Sequence, residues 1–174
     1  IATGEKIIKL DKDNYYAKFR MSEAYKAKQD YPKAIELLDQ LLVKYPDNVM
    51  AYTYRGYAHM MTENYDLALS DYKKADSIYS TIDTLSGIQW AQLALGKSDE
   101  SIATGQKILA IDPKNYYAKQ RIGDAYLEKK EYAKASENYK KLQEQYGKNA
   151  DLLLKIGLCE YYKGKKEEAT KLFR

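Results

Sequence analysis

The sequence predicts an all-α solenoid of antiparallel helix pairs, and three observations predict it. First, the chain repeats itself: IATGEKIIKLDKDNYYAKFRMSEAYKAKQDYPKA at residues 1–34 lies over IATGQKILAIDPKNYYAKQRIGDAYLEKKEYAKA at 102–135, with 19 of 34 positions identical at an offset of 101. Second, small and aromatic residues return at three- and four-residue spacing throughout, the signature of amphipathic helices. Third, turn residues punctuate the chain at Pro46-Asp47-Asn48, Asp112-Pro113-Lys114-Asn115 and Gly147-Lys148-Asn149. An offset of 101 is one residue short of three 34-residue units, and five registers of that length fit, starting near Tyr15, Val49, Ile82, Tyr116 and Ala150.

Each element follows from this spacing. Residues 1–10 match 102–111 and read as a second helix without its partner. The first unit, 15–48, pairs a helix over 15–28 (Met21, Ser22, Tyr25) with one over 31–45 (Tyr31, Ala34, Leu38). The second, 49–81, pairs 49–61 (Tyr52, Gly56, Ala58) with 65–79 (Tyr65, Ala68, Tyr72). The third, 82–115, is degenerate, with Ile88, Ala91, Gly96 and Pro113, and pairs 82–95 with 98–111. The fourth, 116–149, pairs 116–129 (Ile122, Gly123, Tyr126) with 132–146 (Tyr132, Ala135, Tyr139). A truncated unit, 150–174, begins with a helix over 150–163 (Ile156, Gly157) and continues through Ala169 and Phe173. Small residues fall where paired helices must approach closely, and pairs stack because one pair cannot bury its own apolar face.

This pattern resembles the tetratricopeptide repeat family over the whole chain, and its recurrence makes the resemblance specific. The family motif is W-x2-L-G-x2-Y…A-x3-F…P over 34 residues. The chain departs from it in three ways: no unit keeps the first Trp, Ser80 and Gly147 replace the closing Pro, and Arg55 stands where an apolar residue is usual. The resemblance implies a right-handed superhelix and a single array, 1–174, with neither linker nor internal boundary. The unpartnered helix at the start and the stop part-way through the last pair lead us to expect a piece of a longer protein, since solenoids need polar caps.

Composition excludes several classes. The net charge of +4 comes from 29 basic and 25 acidic residues interleaved along the helices, the pattern of a solvated face. Basic pairs occur at Lys73-Lys74, Lys129-Lys130, Lys140-Lys141 and Lys165-Lys166, but only four residues are Arg and no continuous basic stripe can be drawn, so no nucleic acid is expected. No apolar run approaches the ~20 residues that span a bilayer, so a soluble segment is expected, cytoplasmic or periplasmic. One cysteine excludes an intrachain disulfide.

Catalysis finds no support. His59 and Cys159 are the only residues of their kinds and lie three units apart, about six helix layers of 8–10 Å each. Both read as packing residues, and Cys159 as an inert buried thiol. Metal-ligand spacing, phosphate loops and nucleophile motifs do not occur, and carboxylates are scattered with no pair standing out. No cofactor and no metal are expected, and the chain is not read as an enzyme.

Tyrosine is the unusual component, at 19 of 174. Eleven (Tyr25, Tyr31, Tyr45, Tyr52, Tyr65, Tyr72, Tyr79, Tyr126, Tyr132, Tyr139 and Tyr146) sit at pattern positions that packing explains. Tyr15, Tyr16, Tyr54, Tyr57, Tyr116, Tyr117, Tyr161 and Tyr162 do not. The resemblance implies a concave groove lined by the first helices, and it places Tyr16, Arg20, Tyr54, Tyr57, Trp90, Tyr117 and Arg121 there. Tyr, Trp and Arg dominate binding hot spots, which makes these seven the candidate peptide-binding residues. Arg20 and Arg121 each precede an acid by three residues, Glu23 and Asp124, a spacing suited to an ion pair on one helix face. The Lys/Asn clamp by which some relatives of that family hold a peptide carboxylate is absent. The expected function is a non-catalytic scaffold holding a peptide or partner protein. The alternative is a self-assembly module stacking through its solenoid ends into a homo-oligomer.

Overall fold

The structure is a computed structural model describing residues 1–12, 14–147 and 149–173. Lys148, in the middle of one expected turn, lies outside the described residues, as does Asp13. Among the described residues there are eleven helices and no strand: α1 (Ala2–Leu10), α2 (Tyr15–Ala27), α3 (Tyr31–Lys44), α4 (Val49–Met61), α5 (Tyr65–Ile78), α6 (Ile82–Ala94), α7 (Ser98–Ile111), α8 (Tyr116–Glu128), α9 (Tyr132–Tyr146), α10 (Ala150–Tyr162) and α11 (Lys166–Leu172). The chain divides into two compact halves, Ile1–Ala91 and Gln92–Arg174, with the division inside α6. Within each half, helices pack on their neighbours in the chain.

Four of the first helices, α2, α4, α8 and α10, share one cap chemistry. The side-chain oxygens of Asn14, Asn48, Asn115 and Asn149 accept from the backbone N–H of Ala17, Ala51, Ala118 and Leu152, at 2.8–3.0 Å. Each satisfies one of the orphan donors of a helix N-terminus. α6 uses a threonine pair instead: Thr84 N–H donates to Thr81 Oγ1 at 3.1 Å, and Thr81 N–H donates back to Thr84 Oγ1 at 2.9 Å. This exchange locates the missing residue of the 101 offset. Four residues, 45–48, connect α3 to α4, whereas only three, 79–81, connect α5 to α6.

Turns inside the pairs are equally regular. Gln29, Glu63, Gly96, Lys130 and Gly164 occupy one position of successive pairs, and all have φ between +60° and +84°. That left-handed conformation lets the chain reverse in a few residues, as where Asp30 N–H reaches back to Tyr25 O at 2.9 Å. Glycine adopts it without steric cost, whereas Gln29, Glu63 and Lys130 adopt it against the clash of their own Cβ.

The cores are built on close approaches. In the C-terminal half Tyr139 is fully buried, and a Cβ added to Gly123 would lie 2.6 Å from its ring. Ala135, Leu142, Leu152, Ile156 and Cys159 complete that cluster. In the N-terminal half Phe19, Leu38, Leu41, Leu42 and Ala51 form a cluster with Tyr15, Tyr52 and Tyr54 against it. Tyr15 and Tyr116, which no pattern position assigns to packing, are therefore packing residues. Tyr15 stands edge-on to Tyr45 at 5.4 Å and accepts from Asn48 Nδ2 at 3.1 Å; Tyr116 repeats this with Tyr146 at 5.3 Å and Asn149 at 3.5 Å. Tyr79 departs the other way, expected to pack but 69% exposed.

Replacing Gln29, Glu63 or Lys130 by glycine is expected to raise stability by up to about 1 kcal/mol each, because the relief of left-handed strain exceeds the entropy glycine adds to the unfolded chain. Gly96→Ala is expected to lower stability by about 1–2 kcal/mol. Urea unfolding midpoints of the four variants test both signs.

Candidate functional site

In the N-terminal half the structure draws most of the candidate residues into one connected group. Arg20, on α2, is exposed and donates to Glu23 Oε2 at 2.9 Å, the expected i, i+3 pair. The other oxygen of Glu23 accepts from the Tyr54 hydroxyl at 3.2 Å, which ties α2 to α4. The Tyr54 ring meets Phe19 edge-on at 5.1 Å. Burial, and then the Glu23 carboxylate, push its hydroxyl pKa above the ordinary tyrosine value. Tyr54 thus packs as well as lining the face. One turn on, Tyr57 is 37% exposed, with its ring 6.5 Å from that of Tyr31 and 6.1 Å from Trp90 on α6.

Tyr16 stands beside this group. It is 76% exposed, edge-on to Tyr15 at 5.4 Å, and with Arg20, Met21, Gly4 and Ile7 it lines a cleft of about 510 Å³ between α1 and α2. The Tyr-Tyr dipeptide therefore splits its labour: Tyr15 packs and Tyr16 projects. In the C-terminal half the same division recurs, with Tyr117 64% exposed and edge-on to the packed Tyr116 at 5.5 Å. The Arg121 guanidinium lies 5.8 Å from the Tyr117 ring centroid. Asp124 is held by Tyr139, whose hydroxyl donates to it at 2.6 Å, and by Lys155 at 2.7 Å.

One member of the first group escaped the sequence reading. Lys26 places its ammonium 4.1 Å from the Tyr54 ring centroid and 5.6 Å from that of Tyr57. Comparison of the units at the twelfth residue of each first helix marks it, because the other four carry Met60, Leu93, Leu127 and Tyr161.

Two carboxylates, Asp71 and Glu160, stand apart from the scattered solvated acids because each is buried. Asp71 is 5% exposed and grips Arg55 through both oxygens, at 2.8 Å to Nε and 2.6 Å to Nη2, while Arg55 Nη1 reaches Asp39 at 2.5 Å. This network explains an arginine at a usually apolar position. His59 Nε2 lies 3.9 Å from Asp71, and burial lowers its pKa, keeping the ring neutral. Glu160 is 1% exposed and accepts from Ser136 at 2.7 Å, Lys140 at 2.9 Å and Lys163 at 2.9 Å. Burial alone would raise its pKa, but these donors outweigh it and hold the carboxyl at about 2. Both networks brace helix pairs. Cys159 is fully buried, and burial pushes its thiol up to about 11, away from the reactive thiolate.

Among the described residues no helix is long and apolar enough to cross a membrane. No group of three or more His, Cys, Asp and Glu there is arranged to hold a metal ion.

The sequence model described as tetratricopeptide repeat matches residues 19–81 and 121–174, more than half of the chain. The small glutamine-rich tetratricopeptide repeat-containing protein 2 of Saccharomyces cerevisiae is 29% identical over 127 residues, 72% of this chain and 36% of its own length. The chain therefore spans only about a third of that relative. YrrB, described as a TPR protein with an unusual peptide-binding site, superposes with a TM-score of 0.76 at 17% identity, over 97% of this chain and 88% of that one. A MamA structure gives 0.79 at 22% identity, over 90% and 86%. A tetratricopeptide repeat protein from Parabacteroides merdae gives 0.76 at 19% identity, over 99% and 68%. At these identities the likeness is one of fold.

The Glu160 network carries a pH signature. Its folded pKa lies below the ordinary glutamate value of 4.5, so the stability it contributes is present above that value and is lost as pH falls through about 2. Glu160→Gln is expected to flatten the stability–pH curve in that window. At neutral pH it is expected to cost about 1–3 kcal/mol, since Ser136 and the lysines lose their charged acceptor. Urea midpoints collected across the acid range check both.

Proposed function

The chain belongs to the tetratricopeptide repeat family, and from that premise we propose that it is a non-catalytic scaffold holding a peptide segment of a partner protein. The segment lies on the exposed side of the first helices, the concave groove of the family. The family supports the general role of a protein–protein interaction scaffold. The particular face rests on one observation: Tyr54, Tyr57 and Trp90, from two first helices, form a partly exposed aromatic row beside Arg20. Aromatic rings give large contact area at low entropic cost while keeping polar edges, which suits them to hold a polypeptide. Tyr16 extends this face on α2, and Tyr117 with Arg121 offers a second contact in the C-terminal half.

A second reading, association between copies, is favoured by the cleft between α1 and α2. Ile7 there is 39% exposed, whereas its repeat counterpart Ile108 is fully buried. The counterpart of Thr3, Thr104, is buried and donates to Gln92 of α6 at 2.8 Å. The α1 cleft thus has the lining of a helix-covered surface. Sedimentation equilibrium over a wide concentration range separates the readings, because a monomer throughout excludes association.

Alanine at Tyr16, Tyr57 and Tyr117 together is expected to shift Tm little, since all three are exposed. It should weaken capture of peptides selected on the intact protein by about tenfold or more, in line with the loss of aromatic anchors. Tyr54→Ala is expected to lower stability by about 2–4 kcal/mol because its ring also packs on Phe19. Undiminished capture by the triple variant would remove the face from the proposal.

A further inference from the structure

Lys26 breaks a pattern that the rest of the chain keeps. At the twelfth residue of the first helices stand Lys26, Met60, Leu93, Leu127 and Tyr161, and only Lys26 carries charge. Its ammonium lies over the rings of Tyr54 and Tyr57, at 4.1 and 5.6 Å, with Trp90 continuing the aromatic surface 6.1 Å beyond Tyr57. Ring faces attract a cation, but they do not replace the charge-assisted hydrogen bonds that a carboxylate gives. Among the described residues no carboxylate oxygen comes within the 4.0 Å of an ion pair with Lys26. The nearest acid along the helix, Glu23, is already shared between Arg20 and the Tyr54 hydroxyl. What remains is one uncompensated cation in an aromatic surround, at a place where the repeat otherwise puts an apolar residue.

We infer that Lys26 receives an acidic side chain, aspartate or glutamate, from a bound polypeptide segment whose neighbouring aromatic or aliphatic residue lies on Tyr57 and Trp90. This rests on the scaffold reading above and names the chemistry of the segment. The rings exclude water from one side of the ammonium, so an arriving carboxylate meets it at a lower effective dielectric than at an open surface. The apolar neighbour gains by covering exposed ring area. Contact groups adjoin Lys26 on its own helix, Arg20 and Glu23, and on the neighbouring first helices, Tyr57 and Trp90. That arrangement fits a chain running past the lysine.

Two libraries of random segments test this, one displaying them between fixed flanks and one with free C-termini, each selected on the wild type, Lys26→Met and Lys26→Glu. Met60 holds the equivalent position, so Lys26→Met is expected to keep the fold, which Tm checks. The expected result is enrichment of Asp or Glu beside an aromatic or aliphatic residue in the flanked library. The best synthetic segment should bind Lys26→Met about fivefold more weakly and Lys26→Glu more weakly still. Exchanging its acid for lysine should restore binding to Lys26→Glu. Segments that bind without acidic preference, and equally to Lys26→Met, would overturn the inference while leaving the scaffold reading in place. Enrichment confined to free C-termini and abolished by amidation would replace the side chain by a terminal carboxylate and also overturn it. Failure of both libraries to yield a binder would sink the inference and the peptide-holding reading together.

Discussion

Tyr139 lies against Gly123 because the ring of a second helix needs a place on the first helix where no side chain stands. A Cβ at Gly123 would come to 2.6 Å of that ring, so glycine is what permits α8 and α9 to close. Tyr72 uses Gly56 in the same way, at 3.2 Å from the added Cβ. Once the ring is seated, the small residues around it bury completely, as Ala125 and Ala135 do. Apolar burial then holds the pair with little need for distant contacts. The rest of the architecture depends on this seating, because caps and turns only set where each helix begins and reverses.

Seating the rings of the second helices against the first helices fixes which side of each first helix is used up. The other side is left to residues that packing does not require, and the Tyr-Tyr dipeptides show the division most directly. Tyr15 and Tyr116 turn inward to an asparagine cap and a tyrosine at the end of the following second helix, while Tyr16 and Tyr117 remain 76% and 64% exposed. Exposure of this kind is costly in solubility unless it serves contact with another molecule. Interaction chemistry is therefore to be sought on that side.

Helix positions were legible in the sequence because they depend on local signals that recur every unit. Asparagine before four of the first helices, small residues at fixed offsets and glycine at Gly96 and Gly164 are such signals. The exposed aromatic face was legible to the extent that position within a helix decides exposure. The buried acids were not. Asp71 meets Arg55 sixteen residues away and Glu160 meets Ser136 twenty-four residues away, so nothing in either local sequence separates them from the many solvated acids. The left-handed Gln29, Glu63 and Lys130 were hidden for a related reason. Their residue types do not favour that conformation, and only alignment with Gly96 and Gly164 places them there.

Lys26 shows how the same comparison between units bears on function as well as on fold. A repeat supplies its own reference: a residue that differs from its counterparts, in an environment the counterparts share, is released from the packing that fixed them. Arg55 is one such departure, and the structure answers it with Asp39 and Asp71 within the same half. Asp39, Arg55 and Asp71 form a closed set of charges, and their departure from the pattern ends in bracing α3, α4 and α5 together. Lys26 is the contrasting case, since its rings solvate the ammonium only in part and the neighbouring acid is committed elsewhere. A charge that the fold does not itself complete is more informative about partners than a charge that it does, because its position is explained only when something outside the fold is counted.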